Sequence, residues 1–377
     1  MKIKILVVAG LMVLVVGLGW NLSRSKVRQQ ESTTAAADTI ASTTPNPTPP
    51  AFGANNPSAG NVIEPATNAV VSSSIFRRIA AGEKAIVTVP SETIHAYLQS
   101  NAFSAESLLV AFQASSNHEY LVSAARTFPH DPRVQLAVLM NPKVPGLPEE
   151  RATWLARFKE DAADNTLPNY IAARDAFQAR QPHVALQELL AANSKPHYRD
   201  YIVENIQAME ELYLADGRAP AEAKLAGMAN VLLPHHSMLR DLGKDEVELQ
   251  KHYVAAGDQR SADLMAADAA RLGRQLSTDG GAVSLLSQMV GIAIETSALK
   301  EYPSDARPAF LPASARERLA ELQQQRQSVR ENAKFWDQWI GTANENEVIA
   351  YCDRLKLYGE SGAMAWLRNR TTAAATK

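Results

Sequence analysis

Cysteine is almost missing from this chain: one, Cys352, in 377 residues. That excludes an internal disulfide framework and a multi-cysteine metal cluster. Aromatic residues make up only 6% of the sequence. Neither charge sign dominates: Lys and Arg total 38, Asp and Glu 40, for a formal net charge of −2. Without a basic excess the chain lacks the electrostatic footprint of a nucleic-acid binder. Strand signals are nearly absent, with KAIVTVP (84–90) the one β-branched alternation. No Walker A, G-x-G-x-x-G or H-E-x-x-H pattern occurs.

What is present begins with one long apolar run. Residues 5–23, ILVVAGLMVLVVGLGWNLS, carry no charge. At 1.5 Å per residue this run reaches roughly 28 Å, close to the ~30 Å hydrocarbon core of a bilayer. Lys2 and Lys4 precede it, and Arg24, Lys26 and Arg28 follow. Residues 1–23 are therefore expected to anchor the chain in the cytoplasmic (inner) membrane as a single pass. The remainder is expected on the periplasmic or extracellular side. A signal peptide that is cut off, leaving a secreted protein, is the alternative. Residues 24–72 are rich in Thr, Ser, Ala, Pro and Asn and poor in large apolar residues. Such a segment cannot bury enough surface to offset its ordering entropy, so it is expected to be a disordered linker. As a flexible coil it would span roughly 40 Å.

From Ser73 onward apolar residues recur at three and four, as in SAESLLVAFQAS (104–115) and EERATWLARFKEDA (149–162). Asp131 before Pro132, Ser91 and Ser104 are N-cap candidates. Three stretches share a pattern of Ala, four residues, Pro, His: AARTFPHDP (124–132), AANSKPHYR (191–199) and ANVLLPHHS (229–237). Proline lacks an N–H and crowds the preceding turn, so each proline ends a helix and can open the next. Pro129 and Pro196 stand about two 34-residue helix pairs apart, and Pro196 and Pro234 about one slightly longer pair. The prolines punctuate helix hairpins.

Three segments resemble the second helix of a tetratricopeptide repeat. They are ARQPHVALQELLAANSKP (179–196), LADGRAPAEAKLAGMANVLLP (214–234) and AAGDQRSADLMAADAARLG (255–273), with Ala185, Ala192, Ala223, Ala262, Ala266 and Ala269, and with Leu189, at the pattern positions. The large aromatic of the first helix is replaced by Ala176, so the array is degenerate. The layout as a whole is similar to membrane-anchored helical proteins of bacteria. The resemblance implies an all-α chain. Residues 73–281 would form a right-handed helical-hairpin (TPR-like) superhelix. Residues 282–377 would form a capping C-terminal helical bundle with a short polar tail, since terminal repeats must shield the open end of a stack.

The search for chemistry yields no catalytic residue, no cofactor site and no metal site. His235 and His236 are adjacent, which on a helix sets them about 100° apart and suits one ion poorly; they are expected as polar surface residues at a helix start. Glu360 and Ser361 in YGESGAMAW (358–366) read as helix-cap residues, not as the acid of a sugar cleft. Ser297 and Lys300 fit Ser-x-x-Lys, but no companion motif accompanies them. Cys352 lacks a partnered histidine and reads as a structural thiol. The expected function is binding or scaffolding of a protein or peptide, without enzymatic activity. The first helix of each pair lines the concave face of such arrays. Tyr170, Arg174, Lys244 and Lys251 are then the partner-binding candidates. A structural envelope or assembly factor without a groove is the alternative, and a cell-wall or glycan-acting enzyme a third.

Overall fold

The computed structural model describes residues 88–231, 233–278 and 284–375, with side chains up to residue 371. The expected anchor and linker lie outside the described residues. Among those described, no helix is long and apolar enough to cross a membrane. The chain is all-α. The described residues contain no strand, only an isolated bridge between Asn165 and His197. Thr88 to Pro90, the end of the one β-branched alternation, are irregular.

The helices are α1 (Ser91–Ser100), α2 (Ala105–Ser115), α3 (His118–Thr127), α4 (Pro132–Met140), α5 (Arg151–Asp161), α6 (Leu167–Gln178) and α7 (Pro182–Asn193). There follow α8 (Ile202–Ala215), α9 (Pro220–Asn230), α10 (Pro234–Ala255), α11 (Gln259–Ser277), α12 (Leu285–Leu299), α13 (Ala315–Ile340) and α14 (Glu345–Ala375), which bends at Gly359. Their starts follow local chemistry. Ser104 and Asp131 cap α2 and α4 by accepting from the N–H groups of Ser107 and Arg133. Ser91 does not act as a cap: Pro90 holds that position and Ser91 is already inside the helix. Prolines occupy the first turn of α4, α6, α7, α9 and α10, where a missing N–H costs nothing. Of the three repeated prolines, Pro234 opens the next helix, whereas Pro129 and Pro196 lie in the turns between helices.

Short turns join α6 to α7, α8 to α9 and α10 to α11, and each of these pairs packs closely as a helix hairpin. The small residues predicted at close approaches are buried: Ala185, Ala192, Ala223, Ala262, Ala266 and Ala269 are all fully covered. Packing between hairpins then skips along the chain. α6 lies against α10, α8 against α1 and α2, and α9 against α14. α14 therefore covers the middle of the described array, and its place is not simply the open end beyond α11. Residue 282, drawn as a boundary, separates two helices in intimate contact. α11 and α12 approach so closely that a Cβ on Gly291 would lie 2.2 Å from the Gly273 carbonyl oxygen. One continuous core runs from Val89 to Leu367. A smaller apolar cluster, Leu285, Ile292, Leu299, Leu322 and Val329, seats α13 on α12.

Ion pairs stitch the same junctions. Glu295 on α12 is fully buried, and Arg318 on α13 grips both its oxygens at 2.8 and 2.9 Å. Lys224 on α9 reaches Glu210 on α8 and Asp353 on α14, both at 2.6 Å, and Lys356 adds a 2.7 Å bond to Glu210.

Candidate functional site

A cleft of about 690 Å³ lies between α2, α4, α8 and the start of α10. Leu109, Val110, Phe112, Leu136, Met140 and Val231 supply its apolar wall. The charged rim includes Glu106 and Arg133, joined at 3.3 Å, and Asp241 and Lys244, joined at 2.8 Å. Burial pushes the Asp241 carboxyl up, but the Lys244 ammonium and the guanidinium groups of Arg240 and Arg174 outweigh it. Asp241 is held below its ordinary carboxylate range.

Asp200, from the loop before α8, and His235, from the first turn of α10, both line the cleft. The loop before α8 is positioned by Asn165, itself fully buried, whose side chain donates to the Arg199 carbonyl at 2.8 Å and accepts from the Arg199 N–H at 3.0 Å. The next residue, Asp200, is 8% exposed and accepts from the Ile202 N–H through Oδ1 at 3.3 Å. Tyr201 completes the turn with a left-handed φ of 58°. The second loop ends at Pro234, which sets the first turn of α10, so His235 and His236 enter directly after it.

Contrary to the sequence reading, the two histidines are not surface residues: His235 is 3% exposed and His236 1%. Their ring centroids are 4.4 Å apart with a tilt of 48°. His235 Nε2 lies 3.3 Å from Asp200 Oδ2, and His236 Nε2 lies 4.0 Å from the same oxygen. The Ser287 hydroxyl of α12 lies 3.0 Å from His236 Nε2. Desolvation, and then the neighbouring His235, push the His236 pKa well below the usual imidazole value, so this ring is neutral at pH 7. The His236 Nδ1 is buried without a hydrogen-bond partner. Burial first, and then the Asp200 charge, push the Tyr198 pKa well up.

The four partner-binding candidates do not converge. Tyr170 is 2% exposed, and its hydroxyl donates to Gln275 Oε1 at 2.6 Å, so it belongs to the interior between α6 and α11. Arg174 is spent on Asp245 at 2.7 Å, with 18% of its side chain exposed. Lys251 is exposed and pairs with Glu248 at 2.9 Å and Glu301 at 3.8 Å, away from the cleft lining. Lys244 alone lines the cleft. The reason is the packing of α6 on α10: the two faces expected to line a concave groove cover each other. The signal that could have found the site was the His235–His236 pair, but its third member, Asp200, carries no motif.

Two other suspected positions are structural. Glu360 does not cap its own helix: its carboxylate accepts from the Leu285 N–H at 2.7 Å and so caps α12. Ser361 and Gln288 exchange hydrogen bonds of 2.9 and 3.0 Å beside it. Cys352 is 4% exposed, and burial pushes its thiol up to about 12. Set against protein-family models, curated proteins and solved structures, the chain matches none.

Proposed function

We propose that this chain is a binding module that holds a segment of a protein partner in the cleft between α2, α4, α8 and α10. The helix hairpins would belong to a right-handed, TPR-like superhelix, with α12 to α14 as its cover. Residues 1–23 would tether the module to the cytoplasmic membrane, and residues 24–72 would hold it clear of the bilayer on the outer side. The observation that carries this reading is the cleft itself: an apolar wall bounded by paired charges, in a size range that suits recognition. A peptide with one large apolar side chain and flanking charges fits that lining.

The test uses the full-length chain carrying a photo-crosslinking residue at Gln113, which lines the cleft, or at Leu357, which is 73% exposed elsewhere. Discrete adducts from Gln113 only, weakened by Lys244→Glu, are expected. Identical adducts from both positions would reject the cleft as the binding site. A second reading, a structural envelope factor that works by its stack and tether, draws support from the closure of α6 on α10. It requires the Gln113 probe to yield no specific adduct.

A further inference from the structure

We propose that Asp200, His235 and His236 form a site for one divalent d-block cation of the zinc class, reached through the cleft. One donor atom from each residue lies within 4.8 Å of the others, and all three residues are buried. A cation with ligand bonds of about 2.0–2.1 Å in a tetrahedron sets its ligands roughly 3.3 Å apart. His235 Nε2 already stands 3.3 Å from Asp200 Oδ2, and His236 Nε2 stands 4.0 Å from the same oxygen. The adjacency of the two histidines is no obstacle, because the long imidazole arms turn toward each other in the first turn of α10.

The donor chemistry selects the ion. Two imidazoles and one carboxylate suit zinc and its neighbours, whereas calcium and magnesium demand an oxygen-rich shell. The burial asks for an occupant as well. The His236 Nδ1 is buried with no hydrogen-bond partner. Buried polar atoms in native proteins rarely remain unpaired without an ion or water to satisfy them. The Ser287 hydroxyl, 3.0 Å from the same His236 Nε2, would yield that nitrogen to the ion. Asp200 and His235 face the cleft, which provides an entry route and leaves a fourth position for water or for a carboxylate of the bound partner.

The experiment strips the purified full-length chain with a chelator, dialyses it against Zn²⁺ or Co²⁺, and measures bound metal together with the Co²⁺ visible spectrum. One equivalent per chain, with the band of a nitrogen- and oxygen-ligated cobalt, is expected. Asp200→Asn and His235→Gln should each weaken binding by about 100-fold or more at unchanged helical circular dichroism, while His252→Gln, at an exposed ring, should not. No bound metal in the wild-type chain overturns the proposal. A thiolate charge-transfer band, which would move the ion to Cys352, also overturns it. If a variant fails to fold, the stoichiometry and spectrum of the wild-type chain decide alone.

Discussion

Gly273 and Gly291 meet backbone to backbone: a Cβ on Gly273 would come within 2.7 Å of the Gly291 carbonyl oxygen, and the reverse placement is closer still, at 2.2 Å. This contact lets α11 and α12 cross without a layer of side chains between them. It also seats Glu295 Cβ 2.9 Å from the same point, so the crossing fixes where the buried carboxylate lies.

Gly291→Ala should therefore destabilise the chain although alanine is the better helix former. Replacing a mid-helix glycine ordinarily gains about 1 kcal/mol. Forcing a methyl group against backbone reverses the sign, with an expected loss of about 2 kcal/mol. Thermal unfolding compares it with Gly341→Ala, where the nearest atom would be 4.0 Å away and no loss is expected.

Arg318→Met should cost about 3 kcal/mol, because it strands a buried carboxylate whose remaining cation, Arg274, stands 3.5 Å away. Adding Glu295→Gln should recover part of that loss, since the uncompensated charge disappears. Denaturant titration of the two single variants and the double variant measures the coupling. Additive losses would mean that the pair does not act as a unit.

The contribution of the buried acids to stability should fall as pH rises from about 4.5 to 7. Burial pushes Glu360 up to about 7, against the lowering effect of the Leu285 N–H and the Tyr351 hydroxyl. It also pushes Glu246 well up and Asp337 up to about 6. An acid whose folded pKa lies above its unfolded value binds more protons in the folded state, so rising pH favours unfolding across that interval. The carboxyls held low, such as Asp131 and Asp241, act in the opposite direction below about pH 4, and the buried His236, held well below the imidazole value, opposes the trend below about pH 6.5, so the comparison with a Glu360 variant isolates the acid contribution. Glu360→Gln keeps an acceptor for Leu285 and should flatten the slope. Melting temperatures at pH 5 and pH 7.5 provide the check.

The Cys352 thiol should resist alkylating and disulfide reagents in the native chain. It is 4% exposed, and burial holds it protonated far above neutral pH. Its labelling rate should follow global unfolding in denaturant. Rapid labelling under native conditions would contradict the burial.

The helices and several of their boundaries were legible in local residues. Asp131, Ser104 and Pro234 act within a turn of themselves, so caps and first-turn prolines need no knowledge of the rest of the chain. The alanines from Ala185 to Ala269 likewise announced close helix pairs. Partner choice between hairpins was not legible, because an apolar face specifies that it is buried and not against which helix. Tyr170 shows the consequence: its place on a first helix suggested an open groove, yet that helix lies on α10.

By itself, then, the sequence determined an all-α chain of proline-punctuated helix hairpins, since helix periodicity and capping are set by residues three or four apart. Only the tertiary structure decided that Asp200 meets His235 and His236 beside a cleft. Asn165 fixes the loop that carries Asp200, the packing of distant helices brings the first turn of α10 beside it, and no periodicity along the chain encodes that distance.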